Sequence, residues 1–269
     1  AGHYDNLKSP LLVDEKPENI DADIYSWGHR TVMVSAWDQP ADRRWHTSED
    51  FDVAEGVYDK WYGDTATVLK VGKYGDAQYD GSINAYVDRL KTMISGVNHQ
   101  RQVNFLKKFG LWVVADRISA DDAHDYQQNW YMPSENVSTR NATVSKLKID
   151  SNGKFVTAYE PVRAFEFNKI SANANGKQGI VKTAQKGMPN LSIYNFSTTP
   201  ISYGKDMITY PNENAYKLTD YAEIQTKFSG KGDQLLLSVI YPRKTDGSDL
   251  VSISQIDSAN EKVTGFKAG

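Results

Sequence analysis

Short apolar or alternating runs, separated by turn residues, make up most of this chain. They fall at 31–34, 65–71, 102–106, 111–118, 124–132, 143–149, 154–159, 163–170, 179–183, 191–196, 207–210, 221–228, 234–241 and 250–256. Runs of this length, rich in branched and aromatic residues, read as β-strands. Lys107-Lys108-Phe109-Gly110 joins two of them as a hairpin loop containing glycine. Further turn chemistry lies at Asp150-Ser151-Asn152-Gly153, Asn173-Ala174-Asn175-Gly176, Ser229-Gly230-Lys231-Gly232 and Asp246-Gly247-Ser248. Helical periodicity is found at 82–96, where Ile83, Tyr86, Val87, Leu90, Met93 and Ile94 recur at helical spacing. Asp80 or Ser82 can cap its start and Gly96 can stop it, which predicts one short amphipathic helix.

Many short strands without β-α-β alternation point to an antiparallel sandwich or barrel and away from a parallel sheet. No fixed-period repeat and no low-complexity linker interrupts the pattern. Residues 37–62 form a long, charged, Trp-rich connection, and a loop of that length inside a compact domain is often functional.

Composition narrows the function classes. With 269 residues, 39% hydrophobic and 24% charged, the chain is an ordinary globular one. Its net charge of −3 lacks the clustered basic excess of a nucleic-acid surface. The absence of cysteine removes disulfides, thiolate metal sites and cysteine nucleophiles together. No apolar run reaches the ~18 residues of a membrane-spanning helix. The chain begins at Ala1 with neither Met nor a signal segment, so it reads as a mature or truncated chain. A secreted or periplasmic bacterial location is the expectation, which the absence of cysteine neither requires nor excludes. Sixteen Tyr and six Trp suit pleated sheet faces, and they also suit sugar binding, where flat rings cover pyranose faces.

The candidate chemistry gathers in the first forty residues. His3, Asp14 and His29 offer two imidazoles and a carboxylate, a donor set that suits a borderline divalent ion such as Zn²⁺. Their spacing is no compact ligand motif, and a local hydrogen bond explains each histidine equally well. Arg43-Arg44-Trp45-His46 offers Arg43, Arg44 and His46 to an acidic sugar through guanidinium–carboxylate pairing; the alternative is a solvated loop. His99, Arg101 and His124 read as residues near strand starts, and Asp116 as a turn cap closing an apolar run. Neither a Gly-rich phosphate loop nor a Gly-x-Ser-x-Gly elbow is present, so nucleotide and acyl-transfer chemistry lack a basis.

The order of these motifs carries a resemblance. Gly2-His3-Tyr4-Asp5-Asn6-Leu7 is followed by Leu12-Val13-Asp14 and by His29-Arg30-Thr31-Val32-Met33-Val34. Then come His99-Gln100-Arg101-Gln102-Val103, Leu111-Trp112-Val113-Val114-Ala115-Asp116-Arg117 and His124-Asp125-Tyr126 through Trp130. This set, over roughly the first half of the chain, resembles the heparinase II/III-like polysaccharide lyases. The resemblance implies β-elimination on a uronate-containing, acidic polysaccharide. It also implies a structural zinc held by His3, Asp14 and His29, and a catalytic role for Tyr25. The family pairs a helical toroid with a C-terminal β region; here the toroid has no counterpart, so another chain or segment would supply it. The family's first histidine of His-x-His falls on Ala1, and Arg30 stands where the family prefers Asn. The resulting expectation is an all-β fold: a large antiparallel β-sandwich, supersandwich-like, with one short helix. It forms a single region over 1–269 and makes up the C-terminal part of a longer lyase. The rival expectation is a non-catalytic carbohydrate-binding or structural β-sandwich module.

Overall fold

The computed structural model describes residues 11–17, 43–59, 62, 94–135, 143–161, 165–211, 218–243, 253–257 and 264–268. In chain order the first strands are β1 (Leu11–Val13), β2 (Lys16–Pro17), β3 (Arg43–Thr47), β4 (Phe51–Tyr58), β5 (Val97–Leu106) and β6 (Leu111–Glu135). They are followed by β7 (Thr143–Ile149), β8 (Phe155–Pro161), β9 (Phe165–Glu166), β10 (Ile170–Asn175), β11 (Gln178–Thr183) and β12 (Asn190–Ser197). The last four are β13 (Ile201–Pro211), β14 (Leu218–Arg243), β15 (Ile253–Asp257) and β16 (Thr264–Ala268). Among the described residues one sheet holds twelve strands, eight along the path β10-β11-β12-β14-β6-β5-β4-β3 and β1, β2, β9 and β13 off it, while β7–β8 and β15–β16 form separate two-stranded sheets. Every strand pairing among the described residues is antiparallel except the short one between β6 and β9. Among the described residues the only helical element is the 3₁₀ turn Phe167–Lys169.

Two very long strands, β6 with 25 residues and β14 with 26, organise the sandwich. They pair along almost their whole length, and the register breaks between Gly230 and Gly232, opposite residues 120–124. Such a bulge bends a ladder and increases its twist. On one side of the break, β14 pairs with β12 and β6 pairs with β5. On the other side, β14 pairs with β13 and β6 pairs with β1. The same two strands therefore serve both leaves.

Alternation along these strands decides what lies between the leaves. Leu11, Tyr126, Ile201 and Phe228 meet Val97, Ile118 and Leu236 in one apolar cluster. Met132, Ala222 and Ile224 meet Ile170, Val181 and Ile193 in a second. A third cluster, Leu111, Val113, Phe196, Val239 and Tyr241, lies on the other face of the first leaf, with Ile253 of β15 and Phe266 of β16 against it. Each fully buried branched side chain contributes about 1.5–3 kcal/mol relative to exposure.

Several expectations change. The runs at 111–118 and 124–132 are one strand, and so are those at 221–228 and 234–241. In each case the strand runs on through the polar residues between them, across the register break, and does not end in a turn. The connection at 37–62 holds the hairpin β3–β4, in which Arg43 pairs with Gly56 and Thr47 with Asp52. Most of the helix expected at 82–96 lies outside the described residues. Of its last residues, Ile94 makes a β-bridge with Tyr62, and Gly96 takes a left-handed φ of 76°.

Candidate functional site

Asp14 and Glu15 form the two-residue turn between β1 and β2, with φ of 47° and 64°. Positive φ at both central residues is what a type I′ hairpin turn requires. The turn is fastened to β6 from both sides. The Asp14 amide donates to the Asp125 carbonyl at 2.8 Å, and the Asp125 amide donates to Asp14 Oδ1 at 2.8 Å. His124 Nδ1 lies 2.8 Å from Asp14 Oδ2. Burial pushes the Asp14 carboxyl up. The hydrogen bonds from His124 and the Asp125 amide, with the charges of His124 and Lys16, outweigh it and hold the group below the ordinary carboxylate value. An ionised carboxylate only accepts, so the His124 proton of this pair sits on Nδ1.

His124 follows the register break, where β6 resumes its pairing with Gly230. Its ring lies 6.3 Å from that of Tyr126. The Tyr126 hydroxyl is buried and has no hydrogen-bond partner among the described residues, and burial, together with the Asp14 charge, pushes it up to about 12.

A second polar group lies inside the sandwich. Arg101 on β5 stands directly across from Asp116 on β6, and His99 lies two residues along the same strand. Arg101 Nε donates to Asp116 Oδ1 at 2.6 Å and Nη2 donates to Oδ2 at 3.2 Å, a bidentate fork. His99 Nε2 lies 2.8 Å from Asp116 Oδ1, and Arg101 Nη2 also donates to Gln128 Oε1. Asp116 is fully buried, whereas 25% of the Arg101 side chain reaches solvent. Burial would raise the Asp116 carboxyl, but the Arg101 and His99 charges and their hydrogen bonds bring it down to about 2. Asp116 is therefore the anionic centre of a buried network, not a turn cap. His99, also buried, is no sheet-edge residue, because β4 and β6 flank β5 on both sides.

The expected site residues distribute as follows. His3, Tyr25 and His29 lie outside the described residues. Asp14 is described, and its partner is His124. In β3, Arg44 is an exposed side chain whose Nε lies 3.6 Å from a carboxylate oxygen of Glu55, and the Glu55 side chain is itself largely buried. His46 is exposed, with its ring 5.6 Å from that of Phe51. The backbone of Arg43 pairs with Gly56. Strand alternation puts Arg44 and His46 on the face opposite to Trp45, so the run cannot meet a ligand as one continuous patch.

Trp45 shares its face with the Phe105–Trp112 pair, as the registers β3–β4–β5–β6 show. Trp45 is 73% exposed and Trp112 43%, and Phe105 stacks on Trp112 with centroids 4.5 Å apart.

Among the described residues no three His, Cys, Asp or Glu groups stand close enough to hold a metal ion. Asp14 does fit such an ion. It is ionised and held by two donors, and two lone-pair sites on its oxygens remain for a cation. His124, Arg101, Gln128 and His99 take places in these polar networks that residue-by-residue reading did not assign to them. Their signal was membership of the ordered motif set, not any local spacing.

No protein-family model and no curated protein matches the sequence. The fold is similar to that of heparan sulfate lyase HepC from Pedobacter heparinus. The match has 15% identity and a TM-score of 0.47, and it covers 94% of this chain and 26% of that one. A HepC mutant gives 15% identity and a TM-score of 0.49, with coverage of 98% and 30%. A heparinase III structure gives 11% identity and a TM-score of 0.47, with coverage of 97% and 29%. The chain thus spans less than a third of the length of each of these proteins. Among the described residues no helix is long and apolar enough to cross a membrane.

Proposed function

We propose that this chain is the β region of a polysaccharide lyase acting by β-elimination on a uronate-containing polysaccharide. One observation carries the reading. Motif residues scattered over more than a hundred positions converge in pairs and networks: Asp14 with His124, and His99 and Arg101 with Asp116 and Gln128. Of these, Asp14 and His124 meet although 110 positions separate them.

In this reading His3, Asp14 and His29 hold a structural Zn²⁺, with Asp14 bringing an ionised carboxylate to it. When bound, the ion supplies a fixed cross-link between the first strand and its neighbours. The chemistry to be served is removal of the proton α to a uronate carboxylate. Neutralising that carboxylate stabilises the enolate-like transition state. A tyrosine, assigned here to Tyr25, takes the proton, and an acid assists the leaving oxygen. Arg43, Arg44 and His46 are the candidates to meet sugar carboxylates or sulfates from β3. A helical toroid, on another chain or segment, would complete the substrate cleft.

The test is direct. Incubating the chain with heparan sulfate, hyaluronan or alginate should produce the ultraviolet absorbance of an unsaturated uronate, either alone or once a helical partner is added. Elemental analysis should find one zinc per chain, lost in His29→Ala. No absorbance under either condition, with no zinc, ends the reading.

The exposed Trp45 and the stacked Phe105–Trp112 pair favour a second reading, a non-catalytic carbohydrate-binding module. Flat rings on one sheet face are suited to stacking on pyranose C–H faces. That reading expects glycan retention on an affinity array, weakened by Trp45→Ala, with no new double bond.

A further inference from the structure

The inner face of the first leaf runs on past the second. Successive registers put Trp45, Ala54, Val103 and Val114 in one row across β3, β4, β5 and β6, and Thr47, Asp52, Phe105 and Trp112 in the next. Further along the same face Ile118 and Leu236 lie under the second leaf, against Tyr126 and Phe228. At the corner that cover ends: Val114 is still buried, whereas both indoles reach solvent. Three strand spacings of ~4.8 Å and a register offset of two residues at ~3.3 Å each place Trp45 and Trp112 roughly 16 Å apart at the backbone. A disaccharide is too short for that gap, and a tetrasaccharide lying across the strands matches it. The floor between the rings is Ala54 and Val103. Beside it, Thr47 Oγ1 donates to Asp52 Oδ1, and Lys107 Nζ lies 2.8 Å from the same oxygen. Separate flat rings with hydrogen-bonding groups between them suit a sugar chain, whose rings have apolar C–H faces and polar edges. A protein partner would instead need a continuous apolar core. Arg101 and Lys107 flank the two rows, and each is held by a carboxylate, Asp116 and Asp52. These pairs add no net charge, so the grip falls to the rings.

We propose that Trp45 and Trp112 are the two ends of one binding track, which takes an extended polysaccharide of tetrasaccharide length or longer and holds it by its ring faces rather than by its charge. This rests on the reading of the chain as one that holds a polysaccharide. Phe105 backs the Trp112 ring, and Asp52 and Thr47 meet hydroxyls of the sugars between the two indoles.

The experiment uses the full chain with disaccharides and tetrasaccharides of unsulfated heparan, hyaluronan and alginate, read by calorimetry and indole fluorescence. The tetrasaccharide that binds should do so about 10-fold tighter than its disaccharide, the upper size of one added ring contact. Trp45→Ala and Trp112→Ala should each cancel most of that gain, because each leaves a single ring for either length. Trp112→Tyr keeps a flat ring and should retain the gain. The loss in each alanine variant should be the same at low and high salt, since screening acts on charges and not on ring contacts. The Trp45 side chain is exposed, so its alanine variant keeps the fold and decides the matter even if Trp112→Ala unfolds. Equal affinities for the two lengths, a gain that survives Trp45→Ala, or a loss that fades at high salt would each overturn the proposal. So would a wild-type chain that dimerises beside a monomeric Trp45→Ala variant, because the occupant would then be a second copy. A chain that binds none of these glycans at either length would instead remove the carbohydrate reading itself.

Discussion

Asp116 carries a negative charge inside the sandwich because Arg101 and His99 meet it there. Removing one partner of a buried ion pair leaves the other uncompensated, at a cost of about 3–5 kcal/mol. Asp116→Ala should therefore lower the unfolding free energy measured by urea titration at neutral pH by an amount in that range. The pH dependence follows from the same contacts. The folded carboxyl titrates at about 2, below its ordinary 3.8. A group lowered on folding contributes its stability above the unfolded value and loses it as pH falls through the folded one. The network should thus hold fully above pH 4 and give up about 2 kcal/mol between pH 4 and 2. Urea titrations across that window should show the loss in wild type and less of it in Asp116→Asn.

At the scale of elements, backbone conformation and close approach can be separated by two glycines. Gly232 lies at the register break with φ of 74°, and an added Cβ would meet nothing within 4 Å. Gly232→Ala should cost about 1–2 kcal/mol, all of it from the left-handed conformation. Gly179 has an ordinary φ, but its Cβ would stand 2.6 Å from the Tyr203 ring and hydroxyl. That tyrosine is held by Asn195 Oδ1 at 2.7 Å and lies between the leaves. Gly179→Ala should therefore cost about 1–3 kcal/mol through overpacking. The opposite sign is expected in the β1–β2 turn. Glu15 takes φ of 64° without being glycine, so Glu15→Gly should raise the unfolding midpoint by the equivalent of about 0.5–1 kcal/mol.

For the whole molecule, β6 and β14 are the axis on which both leaves hang. A cation at Asp14 would tie β1 to that axis through the His124 and Asp125 contacts. If the zinc assignment is correct, zinc at a hundred times its dissociation constant stabilises the folded chain by about 2.7 kcal/mol. Thermal scans with zinc and with chelator should differ accordingly. Coincident scans would show that no such site exists, while leaving the sandwich and its buried network untouched.

The alternation of apolar and polar residues along the chain was enough to settle the strand class and several strand limits; the run at 143–149 is β7 itself. Such a pattern is local, with a period of two, and a sequence displays it directly. It also held the residues of the polar networks, as members of an ordered set of motifs. Pairing was a different matter. Nothing local says that Asp14 meets His124 across 110 positions. Asp116 faces Arg101 through the register of the hairpin closed at Lys107–Gly110, which the sequence displays, but that this face is buried was decided by the second leaf. Register along β6 and β14, with its break at Gly230–Gly232, decided which side chains share a face and which meet. That residues 43–47 form a strand of this sheet and not a solvated loop was likewise decided by pairing, with β4, and strand alternation then separated Trp45 from Arg44 and His46.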